Sequence, residues 1–260
     1  MRPWILAETN YHHVKDCEYQ VAVLPMGATE PHNLHMPYAT DTLESEAIGS
    51  RVCEAAWNDG ARVVMLPAIP YGTESNQARC RLSMNVNPTT LGMMIGDLVD
   101  SLAGHGIFKL VILNSHGGNE FKPLLRELLG KTPVQLFLCD WFRGITTDVQ
   151  KELFDEAGDH AGEMETALGL AYFNDLIRKN EDGSIAADDG AVHATRFTAV
   201  NRGWVSITRP WHLLTKNTGS GNPHPATAEA GQALMKVIVE RLSGFLVELA
   251  ASPVDERFPF

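Results

Sequence analysis

The chain has 260 residues, 44% of them hydrophobic, and a formal net charge of -11. A chain of this size can bury a substantial core as a single domain spanning 1–260. The acidic balance leaves no basic stripe for nucleic-acid phosphates and no Lys/Arg cluster for an anionic membrane, so the expected partner is a small molecule.

The first predicted element is the apolar run QVAVLPMG, from Gln20 to Gly27. It does not alternate apolar with polar residues, which predicts a strand buried on both faces. Directly after it, Glu30, His32, His35 and Asp41 crowd into twelve residues. Residues two apart on an extended segment face one side, so Glu30 and His32 can share a volume that Asp41 reaches from the next helix. That helix is expected over Asp41 to Asn58, with Gly60 as its stop.

ARVVMLPAIP predicts a second strand, and Asn87-Pro88 opens a helix running to about Gly104. KLVILNSHGG is the third strand. His116 leaves its carboxyl end, where parallel sheets bind ligands, and Gly117-Gly118 allow a tight turn. A helix over Phe121 to Leu129 and a fourth strand, VQLFLCD, follow; Trp141 at its end is a candidate pocket-lining residue. This alternation predicts an α/β fold: a mostly parallel sheet between two helical layers.

Beyond it, DHAGEMETALGLAYF carries His160 just before a helix, with Glu163 and Glu165 near its first turn, where carboxylates also complement the helix dipole. RKNEDGSIAADDG is expected to be a solvated loop, and 191–225 to be irregular, with Trp204 and Trp211 as candidate interface or pocket residues. ATAEAGQALMKVIVERLSGFLVELA closes the chain as a packing helix with a wide apolar stripe.

Cys17, Cys53, Cys80 and Cys139 are widely spaced without a CxxC pair, which implies free thiols and a cytoplasmic setting. The opening MRPWILAETNYHH lacks a basic stretch followed by an apolar one, and no uncharged run would span a bilayer, so a soluble, unprocessed protein is expected. Carboxylates beside imidazoles suit zinc or manganese. A serine hydrolase is a weaker reading: Ser115 adjoins His116 and no G-x-S-x-G elbow occurs. A phosphate-cradling HGG turn is disfavoured by the surrounding carboxylates.

Four stretches resemble the creatininase family in its own order: MGATEPHNLHMPYATDT, NSHGGN, HAGEMETALGL and GNPHPATAEAGQAL. The resemblance covers most of the chain and implies a three-layer α/β/α hydrolase with two divalent metals, zinc or manganese, commonly a hexamer. It puts Asp41 on the bridging carboxylate, Glu30 and His116 on one ion, His32 on the other, and His160 on the proton-handling histidine; Glu165 matches the glutamate of the family's ETS motif. Metal-activated water would attack the carbonyl of a cyclic or N-substituted amide, with Gly117 and Gly118 facing the oxyanion.

Two departures stand out. The family's second-metal glutamate is replaced by Gly118, which leaves Glu165 or Glu163 as the candidate donor. RCRLSMNVNPTTL lacks the family's Phe-Pro-Gly-Thr. Opening of a keto-inositol ring, or metal-dependent binding without turnover, are the alternative readings.

Overall fold

A computed structural model describes residues 1–260. Four strands form one parallel sheet: β1 (Val21–Met26), β2 (Val63–Met65), β3 (Lys109–Asn114) and β4 (Gln135–Asp140), in the order β2-β1-β3-β4. The helices are α1 (Tyr11–Val14), α2 (Thr40–Asn58), α3 (Pro88–Gly104), α4 (Lys122–Leu128), α5 (Thr147–Leu153), α6 (Glu163–Tyr172), α7 (Thr198–Asn201), α8 (Trp211–Leu214) and α9 (Ala228–Ala251). No helix is long and apolar enough to cross a membrane.

Strand side chains alternate between two cores, because successive residues point to opposite faces. Val21, Val23, Val111 and Leu113 pack on one face with Ile48 and Val52 of α2, Leu168 of α6, and Leu234 and Ile238 of α9. Ala22, Leu24, Leu110 and Ile112 pack on the other with Leu91, Ile95 and Val99 of α3. Both faces of β1 and β3 are therefore dry, which is why their sequences read as unbroken apolar runs. On the first face α9 lies so close to α6 that a Cβ on Gly231 would sit 2.1 Å from the Ala167 carbonyl oxygen.

β1 and β3 run in step, with Pro25 beside Leu113 and Met26 beside Asn114. The chain leaves β1 for β2 on one side and later adds β3 on the other, so a crevice opens between the carboxyl ends of β1 and β3. The stretch expected to be a solvated loop, Arg178 to Gly190, is only partly so. Lys179 bridges to Ile185, and Ile185 and Ala186 are buried. The expected irregular region 191–225 contains the single-turn helices α7 and α8.

Candidate metal centre

Four segments converge on that crevice. The exit of β1 carries Glu30 and His32, the first turn of α2 carries Asp41, the turn after β3 carries His116, and the entry to α6 carries His160 and Glu165. Glu30, His32, Asp41, His116 and His160 are all buried. His160 is anchored from a distance: its N–H and carbonyl both bond Ser220, in an isolated antiparallel bridge to the irregular region.

The three imidazoles share one arrangement. Nδ1 of His32 donates to the Glu30 carbonyl at 3.0 Å, Nε2 of His116 to the Thr73 carbonyl at 3.2 Å, and Nε2 of His160 to the Pro31 carbonyl at 3.0 Å. A backbone acceptor fixes each ring and leaves its other nitrogen facing carboxylates, as outer-shell partners do for metal-binding histidines. His32 Nε2 lies 3.2 Å from Asp41 Oδ1. His116 Nδ1 lies 3.0 Å from Glu30 Oε1 and 3.2 Å from Asp41 Oδ2. His160 Nδ1 is 3.6 Å from Glu30 Oε1, and its ring stacks on His32 with centroids 4.0 Å apart.

Despite these approaches, Glu30 Oε1, Asp41 Oδ2 and both carboxylate oxygens of Glu74 have no hydrogen-bond partner of acceptable alignment. Buried carboxylates left this way are costly unless a cation or a proton joins them. Three triads hold donor atoms within 4.8 Å of one another: Glu30, His32 and His160; Glu30, Glu74 and His116; and His32, Asp41 and Glu165. The donor set, oxygen with imidazole nitrogen, fits a divalent ion.

Titration behaviour agrees with the geometry. Burial pushes Glu30 up to about 8 and Glu165 up to about 7. Burial opposes charge on His32, but the carboxylates of Asp41, Glu30 and Glu165 together outweigh it and raise His32 to about 10. Burial likewise opposes charge on His116, and Glu30 and Asp41 still raise it well above its ordinary value. Asp41 is driven the other way: burial disfavours its charge, yet His32 and His116 hold it below the usual carboxylate range. His160 is kept neutral by burial and by the charge on His32. The carboxylates thus favour the charged forms of His32 and His116, whose protons a bound cation would displace.

Gly117 and Gly118 line a cavity of about 610 Å³ above the cluster, together with Phe142, Arg143, Arg209 and Trp211. Trp211 meets His160 edge-on at 4.7 Å. Trp204 is exposed.

Other expectations need correction. Trp141 does not line the cavity. Its ring is fully buried in the core and its Nε1 donates to Ser115 Oγ at 2.7 Å. A position just past a strand end says nothing about which way the ring turns. The same bond occupies the Ser115 hydroxyl. His35 points away from the cluster, with Nε2 2.8 Å from Thr166 Oγ1. Glu163 accepts the backbone N–H of Glu156 at 3.0 Å and belongs to none of the three triads, so Glu165 is the glutamate of α6 that meets His32 and Asp41.

Sequence reasoning missed Glu74, Gln77 and Glu44, all buried here. Gln77 Nε2 donates to Glu30 Oε2. Glu44 lies one turn beyond Asp41 on α2, and burial with nearby Glu165 and Asp41 raises it strongly. Glu74 lies well beyond the carboxyl end of β2, in a polar stretch that carries no sequence signal for it.

Comparison with known proteins agrees with this layout. The creatininase family model, described as creatinine amidohydrolase, matches residues 7–246. A solved structure from Bacteroides fragilis NCTC 9343, described as a candidate creatinine amidohydrolase, superposes with TM-score 0.89 at 33% identity, covering 98% of this chain and 100% of that one. The mycofactocin precursor peptide peptidase of Mycobacterium tuberculosis (strain CDC 1551 / Oshkosh) is 30% identical over 224 residues, 84% of this chain and 81% of the relative. A creatininase variant of Zn–Zn type shares the fold, with TM-score 0.73 and 21% identity over 97% of this chain and 100% of that one. A match over nearly the whole chain, joined to a crevice of buried carboxylates and pinned imidazoles, makes this protein a hydrolase of the creatininase family.

Proposed function

We propose that the chain is a divalent-metal-dependent amidohydrolase that adds water across the carbonyl–nitrogen bond of a small cyclic or N-substituted amide. One observation carries this reading: three imidazoles, each tied by one nitrogen to a backbone carbonyl, turn the other toward buried carboxylates that each keep an oxygen without a partner. Glu30 and His116 would hold one ion and His32 and Glu165 a second, with Asp41 shared between them. Zinc suits this mixed donor set, as in the Zn–Zn creatininase, and manganese suits its carboxylate-rich half.

When bound, such ions acidify water and polarise a substrate carbonyl. His160 moves the proton. Its Nε2 hydrogen is committed to Pro31, so the neutral ring takes up a proton at Nδ1 and returns it to the leaving nitrogen. Trp211 and Pro31 hold the ring in place. Gly117 and Gly118 stand at the cavity wall, where their backbone N–H groups would be available to the developing oxyanion. The cavity suits a substrate of modest size, and Arg143 and Arg209 at its wall favour one with carbonyl or carboxylate groups. Free Cys17, Cys53, Cys80 and Cys139 support a reducing cytoplasm, and the family resemblance supports a homohexamer.

The test is a substrate panel run on metal-loaded and chelated protein: cyclic amides including creatinine, N-substituted amides, short peptides and keto-inositols. Turnover of cyclic or N-substituted amides that chelation abolishes and zinc or manganese restores is the expected result. Peptide cleavage alone, as in the mycofactocin relative, or ring-opening of keto-inositols alone, would replace the substrate class. Metal-dependent binding without turnover would overturn the catalytic reading.

A further inference from the structure

We infer that Glu74 is a metal ligand, the carboxylate that completes the Glu30–His116 half of the centre in a chain whose His-Gly-Gly turn has no acidic residue to offer. The inference rests on the metal-centre reading above.

The turn itself cannot supply a donor at position 118. A Cβ there would lie 2.3 Å from His116 Nε2 and 2.4 Å from the Thr73 carbonyl oxygen, so any side chain would displace the imidazole or the backbone that pins it. The segment that blocks this space is the one that carries Glu74. It leaves β2, passes Gly72, presses the Thr73 carbonyl against His116, and sends the next residue into the crevice.

Glu74 is wholly buried, with relative exposure of 0%, and neither of its carboxylate oxygens has a hydrogen-bond partner. Oε1 stands 2.8 Å from His116 Nε2. That contact does not make Glu74 a mere orienting partner for the ring, because the single Nε2 hydrogen is already directed at the Thr73 carbonyl, which fixes the ring without Glu74. Glu74 also approaches the Glu30 carboxylate, within the same triad of donor atoms. Two acidic groups and an imidazole facing one another in a buried crevice form a donor set that a cation would stabilise.

A chemical consequence follows for metal preference. With Glu74, the first half of the centre presents three carboxylates, those of Glu30, Glu74 and Asp41, to one imidazole, whereas the second presents Asp41 and Glu165 with His32. Oxygen-rich sets favour harder ions, so the first site should prefer manganese over zinc relative to the second.

The experiment is calorimetric titration of metal-stripped protein with Mn²⁺, with bound metal counted by mass spectrometry, on the wild type, Glu74→Gln and Glu165→Gln. The amide keeps the shape of the carboxylate, and circular dichroism with thermal unfolding of each stripped protein checks that it folds. Wild type should bind two ions. Glu74→Gln should lose more than about 100-fold affinity at one site and keep the other, while Glu165→Gln should weaken the other site instead. A loss below about 100-fold falls in the range of outer-shell partners, would assign Glu74 to holding His116, and overturns direct coordination. Unchanged binding of both ions by Glu74→Gln overturns it outright. Wild type that binds no metal would sink the metal-centre reading itself, a result distinct from either.

Discussion

The two ends of the parallel sheet treat buried charge in opposite ways. At the amino end of β3, Lys109 is buried, and its ammonium donates to the carbonyls of Leu249, at 2.6 Å, and Ser252, where α9 runs out. A helix end has carbonyls to spare and a negative dipole, so the chain itself satisfies that charge. At the carboxyl ends of β1 and β3, Glu30, Asp41 and Glu74 are as deeply buried but retain oxygens with no partner. A fold with the means to neutralise a buried ion at one end has left several open at the other. At the amino end the chain closes on its own charge; at the carboxyl end it gathers the carboxylates that the proposed metal would join.

The severest way to break the contrast is at Asp41, which touches both His32 and His116. Asp41→Ala should abolish retention of both metals, together with hydrolysis. Elemental analysis after gel filtration is the check, and full metal occupancy in the variant would remove the shared role. His160→Gln should leave metal content intact and slow kcat by about 10² to 10⁴, the range for lost acid–base help. An undiminished kcat would take His160 out of the reaction.

Next in size is a pH effect at the margin of the site. Burial, and then charge on His32, push His35 down to about 4 from an ordinary value of 6.5. Between those values the unfolded chain takes up a proton that the folded chain refuses. Stability therefore falls as pH drops from 6.5 toward 4, by about 3 kcal/mol for this group. Urea unfolding at pH 6.5 and 4.5 should show a shallower decline in His35→Asn than in the wild type; equal declines would acquit His35.

The smallest effect lies at the satisfied end. Lys109→Met removes the ammonium and strands the carbonyls at the end of α9, at a cost of about 2 kcal/mol in denaturant unfolding. Metal content should not change. A variant that lost metal as well would show that the two ends are coupled.

Much of this was legible in the sequence because burial on both faces writes a simple signature. VAVLPM and KLVILN could hardly be anything but central parallel strands, and Glu30, His32, Asp41 and His116 follow within a few residues of their ends or open the next helix. Glu74 was not legible, since a glutamate in the polar stretch YGTESNQ looks like any solvated loop residue until β2 is seen beside β1. Trp141 failed for the reverse reason: its place in the chain suggested a pocket, and only packing shows its ring turned inward. His35 shows the limit of counting residue types, because the backbone between His32 and Met36 doubles back in an antiparallel bridge and turns that imidazole away.

The bridge between His160 and Ser220 gives the protein a gauge that needs no substrate. The amides of His160 and Ser220, sixty residues apart in sequence, each donate to the other's carbonyl, so both are protected only while this backbone bridge holds. Deuterium uptake at these two amides should therefore rise together whenever the segment that carries His160 comes loose, long before the rest of the sheet gives way.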